Sequence, residues 1–200
     1  MSAFHTDRAT RQRAARQSII CGFPPRHVHT LEESEGHLDP EQIEATVEIS
    51  RVCRAGGIGI VNGTYGNGKT HLAAWYGIGW NLRGYSLNHG KCRHWTTSAL
   101  MAAQKSWFSK KDATPEPFQQ AKDCGLLFID ELDATNDTVF DQRELKQLLD
   151  WRYSQGNKPT ILLTNLPPDR LSDAIDISIL DRVMDGGGLI ELKGASKRGQ

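Results

Sequence analysis

Eight residues constrain the fold most: Gly63, Thr64, Tyr65, Gly66, Asn67, Gly68, Lys69 and Thr70. They spell G-x-x-x-x-G-K-[ST] between the β-branched run IGIV (58–61) and a helix-forming segment that opens at Lys69. A strand, a glycine-rich loop and a helix in that order are the context this motif requires. Glycine lets the backbone curl until successive N–H groups point at phosphate oxygens, and the helix N-terminus adds the positive end of its dipole. The loop is expected to hold ATP: Lys69 would reach the β and γ phosphates, and the Thr70 hydroxyl would ligate Mg²⁺.

The most apolar segment, GLLFIDEL (125–132), ends in the adjacent acids Asp130 and Glu131. Open α/β sheets place ligands beyond the carboxyl ends of their strands, so both acids are expected beside the loop. Asp130 would hold Mg²⁺ through water, and Glu131 would orient and deprotonate the water that attacks the γ-phosphate. A second carboxylate next to the metal-binding one points to hydrolysis rather than to phosphoryl transfer onto a metabolite. Asn165 ends the run TILLTN (160–165). Its amide either bonds the attacking water and a γ-phosphate oxygen or simply forms the turn before Leu-Pro-Pro.

The remaining pattern alternates strands with helices. Further strands are expected over 91–97 and 188–193, and helices from Pro40, from Lys69, over 98–108 and from Asp141, the last with Glu144 at capping-box spacing. This alternation predicts one α/β domain over residues 19–200, a three-layer P-loop NTPase sandwich with a mostly parallel sheet. Pro24 and Pro25 predict an extended connector after a basic tail, residues 1–18. Arg8, Arg11, Arg13 and Arg16 of that tail are either a DNA contact or a solvated surface. Likewise, Trp95 and the run Lys105 to Lys111, including Trp107, Phe108 and Lys110, are either a platform for single-stranded DNA or core aromatics edged by solvated lysines.

Lys plus Arg equals Asp plus Glu, 24 each, so the chain as a whole is no polycation for nucleic acid. No apolar run approaches the ~20 residues of a membrane helix and the N-terminus has no secretory pattern, so a cytoplasmic location is expected. Cys21, Cys53, Cys92 and Cys124 are scattered as reduced thiols would be, and the groups His89/Cys92/His94 and His27/His29 lack a matching second set of metal ligands.

GNGKTHLA, LLFIDELD, the pair Arg152-Tyr153, PTILLTNLPPDRL, the pair Asp181-Arg182 and the terminal GASKR together resemble the AAA+ ATPases of the DnaC helicase-loader type. Related IstB transposition helpers and DnaA initiators share several of these pieces. The resemblance implies that Asp130 and Glu131 are the Walker B pair and Asn165 the sensor-1 residue. It implies that Arg182 is an arginine finger reaching the ATP of a neighbouring subunit, and that Arg198 is similar to a sensor-2 arginine. The activity implied is that of an ATP-dependent helicase loader in DNA replication, in a minimal phage or mobile-element version. Its implied partners are a replicative helicase, single-stranded DNA and further copies of itself in a ring or spiral. The alternatives are an IstB-type transposition helper that binds DNA and a transposase, and a P-loop small-molecule kinase. Seven residues follow Lys193, so no C-terminal helical lid is expected.

Overall fold

A computed structural model describes residues 7–87, 90–110, 115–134 and 139–194. The expectations for Arg198 and Lys111, and for the side chain of Lys110, lie outside the described residues. The chain runs α1 (Arg8–Ile20), α2 (Pro25–Glu33), α3 (Pro40–Ala55), β1 (Ile58–Gly63), α4 (Lys69–Leu87), β2 (Cys92–Thr96), α5 (Thr97–Lys110), α6 (Pro117–Asp123), β3 (Leu126–Asp130), α7 (Val139–Ser154), β4 (Thr160–Thr164), α8 (Ile177–Met184) and β5 (Gly188–Leu192). Short 3₁₀ turns follow β3 at Leu132–Ala134 and β4 at Pro168–Asp173.

The five strands form one sheet in the order β2-β3-β4-β1-β5, and every pairing is parallel. Parallel neighbours require crossovers, and these are the helices. Alternation along β3 shows how the layers are specified. Leu126 and Phe128 enter a core shared with α1 to α4, while Leu127 and Ile129 enter a second core shared with α5 to α8. Successive strand side chains point to opposite faces, so a strand apolar at every position demands cover on both. The expected three-layer sandwich is present, and among the described residues no helix follows β5. No described helix is long and apolar enough to cross a membrane.

The N-terminal expectations are corrected. From Asp7 the segment read as a tail forms α1, capped where Asp7 Oδ1 accepts from the Thr10 amide at 3.0 Å. Ala14, Ala15 and Ser18 make its buried face, and the Ser18 hydroxyl accepts from Asn81 of α4 at 3.3 Å. Nor is the connector extended: Pro25 takes the first turn of α2, where a missing N–H costs nothing. Between the two helices, residues 21–23 form a strap along β2, with the His94 amide donating to the Cys21 carbonyl at 2.9 Å. Gly22 has φ +99°, and a Cβ there would lie 2.1 Å from the His94 carbonyl oxygen, so only glycine fits. Phe23 is buried over Gly77 of α4, whose own Cβ would meet the Phe23 ring at 2.3 Å.

Asp141 does not cap α7. It lies inside the first turn, fully buried, and pairs with Lys105 of α5 at 2.7 Å. Lys105 is therefore committed to the fold. Trp95 packs against the second core, while Trp107 and Phe108 touch edge to face at 5.5 Å with Phe108 half exposed.

Among the described residues Arg152 is the largest fully buried side chain. Its guanidinium donates to the carbonyls of Ala121 at 2.7 Å, Cys124 at 3.0 Å and Pro159 at 2.7 Å, and to the Thr160 hydroxyl at 2.8 Å. Burial pulls its pKa below the ordinary arginine value. Arg152 thus joins α6, α7 and the start of β4. Arg152→Ala would leave a cavity and several buried carbonyls without donors, an expected loss of about 3–5 kcal/mol. Urea denaturation measures it, and a variant within about 1 kcal/mol of the wild type would contradict this clamp.

Candidate functional site

β1, β3 and β4 end side by side, and their last residues and the loops beyond them surround a cavity of about 730 Å³. Gly63 closes β1; a Cβ on it would lie 2.1 Å from the Asn67 amide nitrogen and 2.6 Å from the Leu192 carbonyl oxygen. The loop is anchored at two further points. The Asn67 amide donates to the Leu192 carbonyl at 2.8 Å, and Gln42, the capping-box glutamine of α3, donates to the Gly68 carbonyl at 3.2 Å. Thr64, Gly66 and Gly68 fill the remaining loop positions, and the loop residues from Tyr65 to Thr70 line the cavity.

Lys69 is buried at the base of α4. Its ammonium donates to the carbonyls of Gly63 at 2.7 Å and Thr64 at 2.9 Å, to Asn67 Oδ1 at 3.2 Å and to Asn165 Oδ1 at 2.8 Å. The Thr70 hydroxyl donates to Asp130 Oδ2 at 2.7 Å. Two hard oxygen donors at that separation, one of them a carboxylate, suit Mg²⁺, which is bound through one or two protein oxygens plus phosphates. Burial pushes the Asp130 carboxyl up, but hydrogen bonds from His94, Thr70 and the Glu131 amide, with the charge of His94, hold it below its ordinary value.

Glu131 turns the chain. Its φ of 55° is in the left-handed region, uncommon for a residue with a side chain. Its amide donates to Asp130 Oδ1 at 2.8 Å. The turn takes Glu131 out of the buried strand and leaves it exposed against the cavity wall, where water reaches it.

The structure brings Lys69, Thr70, Asp130, Glu131 and Asn165 to this one cavity. Arg182 is elsewhere: on α8 it pairs with Asp150 and lies 5.1 Å over the Tyr153 ring, and it is not among the cavity's lining residues.

Sequence reasoning missed two groups. His94, weighed there as a metal ligand, bridges the Gly22 carbonyl at 3.1 Å and Asp130 Oδ2 at 3.3 Å. Asp133 accepts from Asn165 and Tyr65, and its only sequence signal was the third acid of D-E-L-D, two positions after Glu131. At the far end of the cavity, His27 meets His71 edge to face at 5.8 Å, and burial, aided by the charges of Arg26 and His71, pushes His27 down to about 4. His27 is therefore neutral at neutral pH, an aromatic wall rather than a cation.

A family model for the ATPase family associated with various cellular activities (AAA) matches residues 60–185. No curated protein sequence matches. Among solved structures, the chain is similar to a replication initiator DnaA bound to AMPPCP and single-stranded DNA, with TM-score 0.65 and 20% identity over 79% of this chain and 48% of that one. It is also similar to a DnaC helicase loader, with TM-score 0.62 and 17% identity over 78% and 92% of the two chains, and to DnaI, with 0.59 and 20% over 80% and 86%. The chain spans about half the length of the DnaA structure it matches. These identities speak for a shared fold. The family match, running from within β1 past the end of α8 and so over well more than half of the chain, says more: this chain belongs to the AAA ATPase family.

Proposed function

We propose that the chain hydrolyses ATP and, as a ring or open spiral of copies, loads a replicative helicase onto DNA. The observation that carries the hydrolytic part is the convergence of Lys69, Thr70, Asp130, Glu131 and Asn165 on one cavity at the carboxyl end of the sheet. Lys69 and the loop amides bind the β and γ phosphates, Glu131 accepts a proton from the attacking water, and the Asn165 amide fixes the terminal phosphate. Mg²⁺, held by Thr70 and Asp130, would neutralise phosphate charge. Arg182 does not line its own cavity, and it is proposed to act as an arginine finger at the cavity of another copy. Arg198 is proposed as the sensor-2 arginine of the same site.

Support for the loader part is the run of sequence pieces shared with the DnaC type, together with a fold that covers most of the DnaC loader and DnaI chains. Single-stranded DNA is proposed as the track, with the exposed Phe108 on α5 as a stacking surface. The test is capture from the native host by the Glu131→Gln chain, loaded with ATP, followed by identification of what is retained. A replicative helicase is the expected partner. Retention of a transposase would replace the loader reading with that of a transposition helper.

A further inference from the structure

We propose that Asp133 is a positioning residue for this ATPase: its carboxylate fixes the Asn165 amide so that ATP is distinguished from ADP. The inference rests on the nucleotide reading above and adds to it a residue outside the loop and the Asp130-Glu131 pair.

Asp133 sits on the 3₁₀ turn after β3 and receives donors on both oxygens. Oδ1 accepts from the Asn165 amide of the main chain at 3.2 Å and from the Thr164 hydroxyl at 3.3 Å. Oδ2 accepts from Asn165 Nδ2 at 3.0 Å and from the Tyr65 hydroxyl at 3.1 Å. One carboxylate thus holds the end of β4, the Asn165 side chain and the tip of the phosphate loop. Burial pushes it up, yet the bonds from Asn165 and Tyr65 hold it below its ordinary value, so it is ionised at neutral pH.

The ionised state decides which way the amide points. With Nδ2 on Asp133, Asn165 Oδ1 faces the Lys69 ammonium at 2.8 Å. A flipped amide would set its oxygen against a carboxylate and its NH₂ against an ammonium, two repulsive contacts in place of two bonds. An amide nitrogen carries two hydrogens; the one not given to Asp133 lies toward the Tyr65 hydroxyl and would be given to a γ-phosphate oxygen when ATP is bound. ADP ends at its β-phosphate and offers no γ-phosphate oxygen there. Asp133 therefore acts through Asn165 on the one feature that separates ATP from ADP.

The experiment measures Kd for AMPPCP and for ADP, both with Mg²⁺, and turnover of ATP. It compares the wild type, Asp133→Asn, Asp133→Ala, Asn165→Ala and the Asp133→Ala/Asn165→Ala double variant, each with a thermal melt. Asp133→Asn keeps the side chain's size and one acceptor, so it retains the fold even if alanine does not. It should bind AMPPCP about 10-fold more weakly, the effect of removing one charge-assisted bond, with ADP within about 2-fold of wild type. Turnover in the double variant should equal that of Asn165→Ala, because residues acting as one unit are not additive. A folded Asp133→Asn with the wild-type AMPPCP/ADP ratio, or fully additive losses in the double variant, would overturn this proposal alone. A wild-type chain that binds no AMPPCP would overturn the nucleotide reading and this proposal with it.

Discussion

Arg182→Ala is expected to bind ATP as the wild type does and to lose ~10³–10⁵ of its turnover, the usual worth of an arginine finger. The location of Arg182 makes the experiment informative. Within its own subunit the guanidinium pairs with Asp150, stacks over Tyr153 and contributes nothing to the wall of the nucleotide cavity. On the proposed trans arrangement, a loss of turnover would arise at the site of a different copy. Removing the side chain should leave the fold intact, since a partly exposed ion pair contributes only about 0–1 kcal/mol. Mixing Arg182→Ala with Glu131→Gln should restore activity, because some interfaces will join an intact Glu131 to an intact Arg182. No recovery in mixtures whose subunits demonstrably exchange would remove Arg182 from the mechanism.

The phosphate loop and the proposed catalytic carboxylate should separate just as sharply. Lys69→Ala deletes a buried cation that four oxygens share, from Gly63, Thr64, Asn67 and Asn165. The remaining oxygens would face the phosphates with no positive charge between. Binding of labelled ATP should then weaken at least ~100-fold, as expected when a desolvated site gives up its charge-assisted hydrogen bonds to the phosphates. Glu131→Gln keeps shape and polarity but accepts no proton, so ATP affinity should hold while turnover falls ~10²–10⁴-fold. Equal weakening of ATP binding in the two variants would undo the division of roles.

What was legible in the sequence follows from where information is local. The loop motif, the acids closing β3 and the amide closing β4 are contiguous runs whose context is set by adjacent apolar residues. The sheet was legible for the same reason: a strand apolar at successive positions, such as LLFI before Asp130, permits few placements. Residues whose meaning depends on distant partners were not. Asp133 meets Tyr65 from 68 positions away, and His94 meets Gly22 from 72. Asp141 looked like a cap because acids usually sit at helix starts in water, whereas in the fold it is buried and paired with Lys105 on another helix. Helix α1 escaped notice because its buried face is built from Ala14, Ala15 and Ser18, small residues that leave little apolar signal among four arginines.

The strap at Cys21 and Gly22 bears on how copies of this chain can meet. An outermost strand is normally a template onto which another chain can add. On β2 that template is already engaged by the molecule's own segment, through the His94 amide. At the opposite margin, β5 carries Glu191 and Lys193 follows it, charges of the kind that discourage strand addition, and Glu41 of α3 accepts from the amides of Lys193 and Gly194 just past its end. With both margins of the sheet guarded, growth by continuous β-pairing is disfavoured. In the proposed assembly, association would be left to helix and loop surfaces, which could separate and re-form as nucleotide is turned over without disturbing the sheet that holds the site.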